Sequence, residues 1–207
     1  MLSIQALTVG PLQENCYLLT DTQTQKAVLV DPGDEAERII AAVNGFSLTA
    51  VWLTHAHFDH VGALSAVHRH FPVPVYLHPD DRELFAHAAQ SAAFFGLVLE
   101  QPDLEPTPLT HGQTLTLGEH EATCLFTPGH APGHMAFYLP EHGFVLAGDA
   151  LFQGSVGRTD LPGGDHAQLL ASIRRELLTL PDETRVLPGH GPETTVGTER
   201  RANPFLR

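Results

Sequence analysis

His55-Ala56-His57-Phe58-Asp59-His60 places four potential metal ligands within six positions. On extended backbone His55, His57 and Asp59 share one face, and a tight turn into a helix swings His60 toward the same centre. Ala56 and Phe58 stand between them, apolar residues that a merely solvated histidine loop does not call for. Three further groups sit apart: His130 in Pro128-Gly129-His130, Asp149 after Gly148, and His190 in Pro188-Gly189-His190-Gly191. Each is flanked by glycine, which permits close backbone approach. Together they make five imidazoles and two carboxylates, a set that suits zinc and also admits iron or manganese. One catalytic ion seldom needs so many groups, whereas two divalent ions sharing a carboxylate use them all. Such a pair, roughly 3.5–4 Å apart, brings the pKa of a shared water to about 7 and so makes a nucleophile without Ser or Cys.

The elements that must hold these groups are short. Apolar runs ending in turn residues predict strands at 15–19, 27–30, 50–53, 73–77, 121–126, 136–139 and 143–146. Helical patterns cover 35–43, 61–70, 79–90 and about 166–180, the last capped by Asp165. Strands come in groups of one to three between helices, which fits sheets packed as a sandwich with helices outside. The ligand clusters then fall in loops at strand ends, where a rigid scaffold presents reactive groups.

Composition narrows the partners. At 207 residues, 43% hydrophobic and 17% charged, without repeat or linker, the chain reads as one domain spanning 1–207. No apolar run approaches the roughly 20 residues that span a bilayer, and the first residues lack a signal-peptide pattern, so a soluble cytoplasmic protein is expected. The formal charge of -13 and the absence of a basic cluster argue against nucleic acid. Cys16 and Cys124 both stand among apolar residues and read as buried small hydrophobes.

Thr54 through His60 resembles the Thr-His-x-His-x-Asp-His motif of the metallo-β-lactamase superfamily, and Asp31, His130, Asp149 and His190 follow at its other motif positions. The resemblance covers essentially the whole chain. It implies an αββα sandwich of two mixed β-sheets flanked by helices, with His55, His57 and His130 holding one ion and Asp59, His60 and His190 the other. Asp149 would bridge the ions, Asp31 would orient ligands from behind, and Asp59 would also hold the attacking hydroxide.

Within that superfamily the stretches Gly10-Pro11-Leu12-Gln13-Glu14-Asn15-Cys16-Tyr17 and Gly148-Asp149-Ala150-Leu151-Phe152 look like the glyoxalase II-like group, which hydrolyses thioesters such as S-lactoylglutathione. The substrate implied is a small anionic thioester. Arg158 is a candidate clamp for a substrate carboxylate, with pairing to Asp160 as the alternative. Larger glyoxalase II enzymes bind glutathione partly through a helical C-terminal extension, whereas this chain ends 17 residues after His190. The thiol carrier therefore stays open, as does the oligomeric state. Two rivals are an iron-dependent persulfide dioxygenase, whose family shares a Gly-Arg-Thr-Asp stretch like 157–160, and a non-catalytic metal-binding module. The first has Cys where Val156 stands, and the second has no need of an open seven-ligand site.

Overall fold

Alternation along the strands decides what each face of each sheet meets. In the computed structural model, which describes residues 1–207, Cys16 and Leu18 point to one side of their strand and Tyr17 and Leu19 to the other. The same division separates Ala27 and Leu29 from Val28 and Val30, and Phe144 and Leu146 from Val145 and Ala147. Both faces are covered, so the strands read as continuous apolar runs rather than alternating ones.

The first sheet contains, in spatial order, β1 (Leu2–Val9), β2 (Glu14–Asp21), β3 (Lys26–Val30), β4 (Ser47–Trp52), β5 (Val75–Leu77) and β6 (Thr107–Pro108). Its first three strands pair antiparallel and β3 through β6 pair parallel. The second sheet is built from β7 (Thr114–Leu117), β8 (His120–Phe126), β9 (Met135–Leu139) and β10 (Phe144–Gly148). After a small hairpin of β11 (Leu151–Phe152) and β12 (Ser155–Val156), it is completed by β13 (Arg185–Pro188), parallel to β10, and β14 (Thr194–Thr195). Two mixed six-stranded sheets result, as the resemblance implies.

Helices close both outer faces. α1 (Ala36–Val43), α3 (Leu64–His70), α4 (Arg82–Ala86) and α5 (Ala88–Phe94) lie on the first sheet, with Ile39, Val43, Leu64, Val67, Phe85 and Ala88 in that layer. α2 (Phe58–Val61) is a single turn that carries Asp59 and His60, directly after His55 and His57. α6 (His166–Ser172) covers the second sheet through Leu169, continues as a π-turn over Ile173–Leu177, and is followed by α7 (Val196–Ala202). Between the sheets Trp52 meets Phe137 at a ring separation of 5.4 Å, a contact whose truncation typically costs about 3–5 kcal/mol. Cys16 and Cys124 are buried in different layers as free thiols. No helix is long and apolar enough to cross a membrane.

Three expectations are corrected in detail. The helix over 61–70 breaks at Gly62-Ala63, where the Ala63 N–H donates to the Pro32 carbonyl at 3.0 Å rather than along the helix, and Gly62 packs so close to the Gly33 carbonyl that a Cβ would meet its oxygen at 2.2 Å. The helix over 79–90 is three pieces: a 3-10 turn at Pro79–Asp81, then α4 and α5 meeting at His87. The one over 166–180 ends at Leu177, after the π-turn. Strands β1, β7 and β13 went unread, since their polar residues interrupt the apolar runs.

Candidate metal centre

The C-terminal ends of β3, β4, β8, β10 and β13 meet at one edge of the sandwich, and every sequence-predicted ligand lies on the segment that follows one of them. Asp31 leaves β3, residues 54–60 leave β4, the loop 127–134 leaves β8, Asp149 follows β10 and His190 follows β13. A bridge between Glu14 and His190 and a 2.7 Å hydrogen bond from the Asn15 N–H to the Gly189 carbonyl tie the two sheets together there. Asp31 adopts φ 50°, a left-handed conformation that turns its carboxylate back under the site.

Two groups of ligating atoms result. The available nitrogens of His55, His57 and His130 lie within 4.8 Å of one another, and so do the donor atoms of Asp59, His60 and His190. Asp149 stands between them: Oδ2 is 3.5 Å from His130 Nε2 and 3.5 Å from His190 Nε2, while Oδ1 is 3.4 Å from His60 Nε2.

Four of the five imidazoles spend one N–H on the protein behind them, which leaves the other nitrogen's lone pair facing the centre. His130 Nδ1 donates to the Arg158 carbonyl at 2.8 Å and His190 Nδ1 to the Leu12 carbonyl at 3.1 Å. His60 Nδ1 faces Asp31 Oδ2 at 3.0 Å. The Thr54 hydroxyl donates to Asp31 at 2.6 Å, so its oxygen accepts from His55 Nδ1 at 3.0 Å. Outer partners of this kind fix tautomer and ring orientation in metal sites.

Charge divides the two groups. Burial, reinforced by neighbouring imidazoles, holds His55 neutral, pushes His57 down to about 3 and lowers His130. Neutral imidazole is the ligating form. Burial also opposes protonation of His60 and His190, but Asp149 and Asp59 outweigh it and raise both. Asp149, although burial works against its ionisation, is held far below the usual carboxylate range by His60, His130 and His190.

The residues fit a pair of divalent cations. His60 Nε2 and Asp149 Oδ1 are buried with no hydrogen-bond partner, a costly arrangement for two polar atoms 3.4 Å apart unless a cation lies between such groups. Gly189 keeps the space open: a Cβ there would lie 2.2 Å from Asp149 Oδ1.

Arg158 falls outside this cluster. Its guanidinium makes two hydrogen bonds to Asp160, at 2.7 and 2.8 Å, and is about half exposed, while its carbonyl is what anchors His130. Three other polar residues were not singled out from the sequence as parts of the site. Asp81, fully buried, accepts from the Ala56 N–H at 3.0 Å and the Gly133 N–H at 2.5 Å, clamping the His55–His57 segment to the His130 loop. Burial pushes its carboxyl up to about 6. Glu14, 1% exposed, lies 3.8 Å from His60 Nδ1 with both carboxyl oxygens unpartnered, and burial raises its pKa well above the usual range. His134 accepts from the Asp149 N–H at 3.0 Å and donates to Thr127 at 2.8 Å, a buried structural imidazole. Only the spacing of Asp81 after a strand and a Pro-Asp turn hinted at any of these.

A cleft of about 410 Å³ opens beside His57, lined by Asp80, Glu83, His87, Phe94, Pro132 and Leu161 among others. A smaller recess of about 80 Å³ lies against Phe58, next to Asp59 and Glu14.

Known proteins share this arrangement. The metallo-beta-lactamase superfamily profile matches residues 9–190. The hydroxyacylglutathione hydrolase GloC of Haemophilus influenzae is 39% identical over 209 residues, covering 99% of this chain and 98% of its own. The crystal structure of TTHA1623 in a di-iron-bound form superposes with a TM-score of 0.91 at 50% identity, covering 98% of this chain and all of that one. That of the BLEG-1 B3 metallo-beta-lactamase gives 0.92 at 41% identity, covering 99% of both. With its sheets, its edge site and its sequence all in agreement, the chain belongs to the metallo-beta-lactamase superfamily, as a metal-dependent hydrolase.

Proposed function

We propose that the protein is a cytoplasmic glyoxalase II-like thioesterase of the hydroxyacylglutathione hydrolase type, acting on a small anionic thioester with two bound divalent ions, zinc in the first instance. The observation that carries the two-ion reading is the place of Asp149, whose two oxygens face His60 on one side and His130 and His190 on the other. His55, His57 and His130 would hold one ion, Asp59, His60 and His190 the second, and Asp149 both. When bound, the ions supply a hydroxide at neutral pH and Lewis acidity toward a developing oxyanion.

The chain's own groups do the rest. Asp59, 3.2 Å from His190 and only partly exposed, would accept a hydrogen bond from the attacking water and fix its lone pair toward the substrate. Asp31 holds His60 and, through Thr54, His55, so one carboxylate sets a ligand of each group. In the overall reaction a C–O bond forms, the C–S bond breaks, and the thiolate leaves and takes up a proton.

The cleft beside His57 is large enough for a thiol carrier, and its Asp80 and Glu83 suit an ammonium group. Arg158 would meet a substrate carboxylate only after leaving Asp160. Support for the thioester itself comes from the GloC relative and from the Gly10–Tyr17 and Gly148–Phe152 stretches. The test is thiol release by zinc-loaded, iron-free protein from S-lactoylglutathione and simpler thioesters, run beside an oxygen electrode with glutathione persulfide. Oxygen-independent thioester cleavage supports the reading. Oxygen uptake by iron-loaded protein, with no thioester cleaved under any metal, overturns it and promotes the dioxygenase.

A further inference from the structure

The end of the sandwich opposite the metal centre carries a second convergence of ligating groups. His120 opens β8 and His142 lies in the 3-10 turn Pro140–His142 before β10, so each sits at the far end of a strand whose other end feeds the centre. With about 3.3 Å of rise per residue, the length of β8 separates the two places by about 20 Å. Register brings the groups together: β8 and β9 pair Thr123 with Tyr138, and continuing that ladder sets His120 opposite Glu141. His120 Nδ1 and His142 Nε2 are 3.1 Å apart with rings nearly perpendicular, at 82°. Within the catalytic group the facing nitrogens are 2.9 Å (His57 and His130) and 3.2 Å (His55 and His130) apart. A Glu141 carboxylate oxygen completes a set whose atoms all lie within 4.8 Å.

What stands behind His120 is the stronger observation. Its other nitrogen, Nε2, is buried without a hydrogen-bond partner and points toward Asp21 Oδ1 at 3.7 Å. Asp21 is fully buried and oriented by the Gln23 N–H at 3.0 Å and the Thr24 hydroxyl at 2.6 Å. A carboxylate behind a histidine, with the opposite ring nitrogen facing a second histidine and an acid, is the layout of a ligating imidazole and its outer partner.

We propose that His120, His142 and Glu141 form a third, non-catalytic site for a borderline divalent transition-metal cation, zinc being the probe of choice. Two imidazoles and one carboxylate favour such a cation over calcium or magnesium, which prefer all-oxygen sets. Bound there, the ion links the β8 end and the turn before β10 and, through Asp21 on β2, fastens the second sheet to the first. It therefore stabilises the fold and leaves turnover unchanged.

The experiment is a zinc titration of the metal-free full chain by equilibrium dialysis with elemental analysis, in parallel with thermal unfolding. Wild type should bind three equivalents, with the third raising the unfolding temperature after activity has reached its plateau. H142A, at a half-exposed position, should bind two equivalents, lose that last rise in unfolding temperature and keep full activity. D21N, which removes only the outer partner, should weaken the third equivalent by about 10- to 100-fold. A wild-type plateau at two equivalents, as a simple imidazole pair would give, overturns the proposal. So does a third equivalent that H142A retains.

Discussion

The two proposed ligand groups of the candidate metal centre differ most in the charges they face. His55, His57 and His130 sit among imidazoles, an alcohol and a carbonyl, and burial keeps them neutral although Asp149 stands beside His130. His60 and His190 are equally committed to the site but face Asp59, Asp149 and, for His60, Asp31, which raise their affinity for a proton. Burial acts the same way on all five; the carboxylates decide. His55, His57 and His130 would bring a bound ion no charge of their own, Asp59 would partly offset the other ion's, and Asp149 is the one side chain on which both would depend.

The largest break in that contrast is Asp149→Ala. Both ions lose a ligand, so metal content should fall in both groups and turnover should drop to background. Elemental analysis beside thiol release checks it, and two retained equivalents with normal turnover would remove Asp149 from its bridging place. His190→Ala should strip the second group alone: about one equivalent remains, and turnover falls by more than the roughly 10- to 100-fold that loss of an outer partner costs. Asp31→Asn belongs in that 10- to 100-fold range itself, read as weakened metal affinity, because it disturbs His60 directly and His55 only through Thr54.

Asp81 sharpens the comparison on the side of the neutral group. Its carboxyl is raised to about 6 by burial, so the folded state holds a proton that the unfolded chain has released above about 4. Its contribution to stability is present below about pH 4 and lost as pH rises through about 6. Asp81→Asn removes that titration. The stability difference, variant minus wild type, should rise by about 3 kcal/mol from pH 4 to pH 7 in metal-free denaturant unfolding, whatever its offset from the lost Ala56 or Gly133 bond. A pH-independent difference would show that Asp81 is ionised throughout.

The smallest effect is expected at Arg158. Because the carbonyl rather than the guanidinium anchors His130, Arg158→Ala should leave kcat and metal content intact. It should raise KM a few-fold, and only for carboxylate-bearing thioesters. Equal losses on neutral esters would assign the side chain to its pair with Asp160 alone.

Legibility in the sequence followed the chemistry. The seven candidate ligands stood out because each combines an unusual residue type with a loop after an apolar strand, and the geometry brings all seven to one edge. The sandwich was legible from the grouping of strands, but β1, with the burial of only Leu7 and Val9, and β13, with Arg185 at its start, show weak local signals and are held by their neighbours. Asp81, Glu14 and His134 act through backbone N–H groups or by burial against residues dozens of positions away, and no local spacing records such contacts.

The central claim, that catalysis needs both groups filled, is tested most directly by titrating metal-free protein with zinc under anaerobic conditions and following thiol release from a thioester. Two-ion catalysis requires that activity climb with the second equivalent and persist without oxygen. Full activity at one equivalent, unchanged by the second, would contradict it.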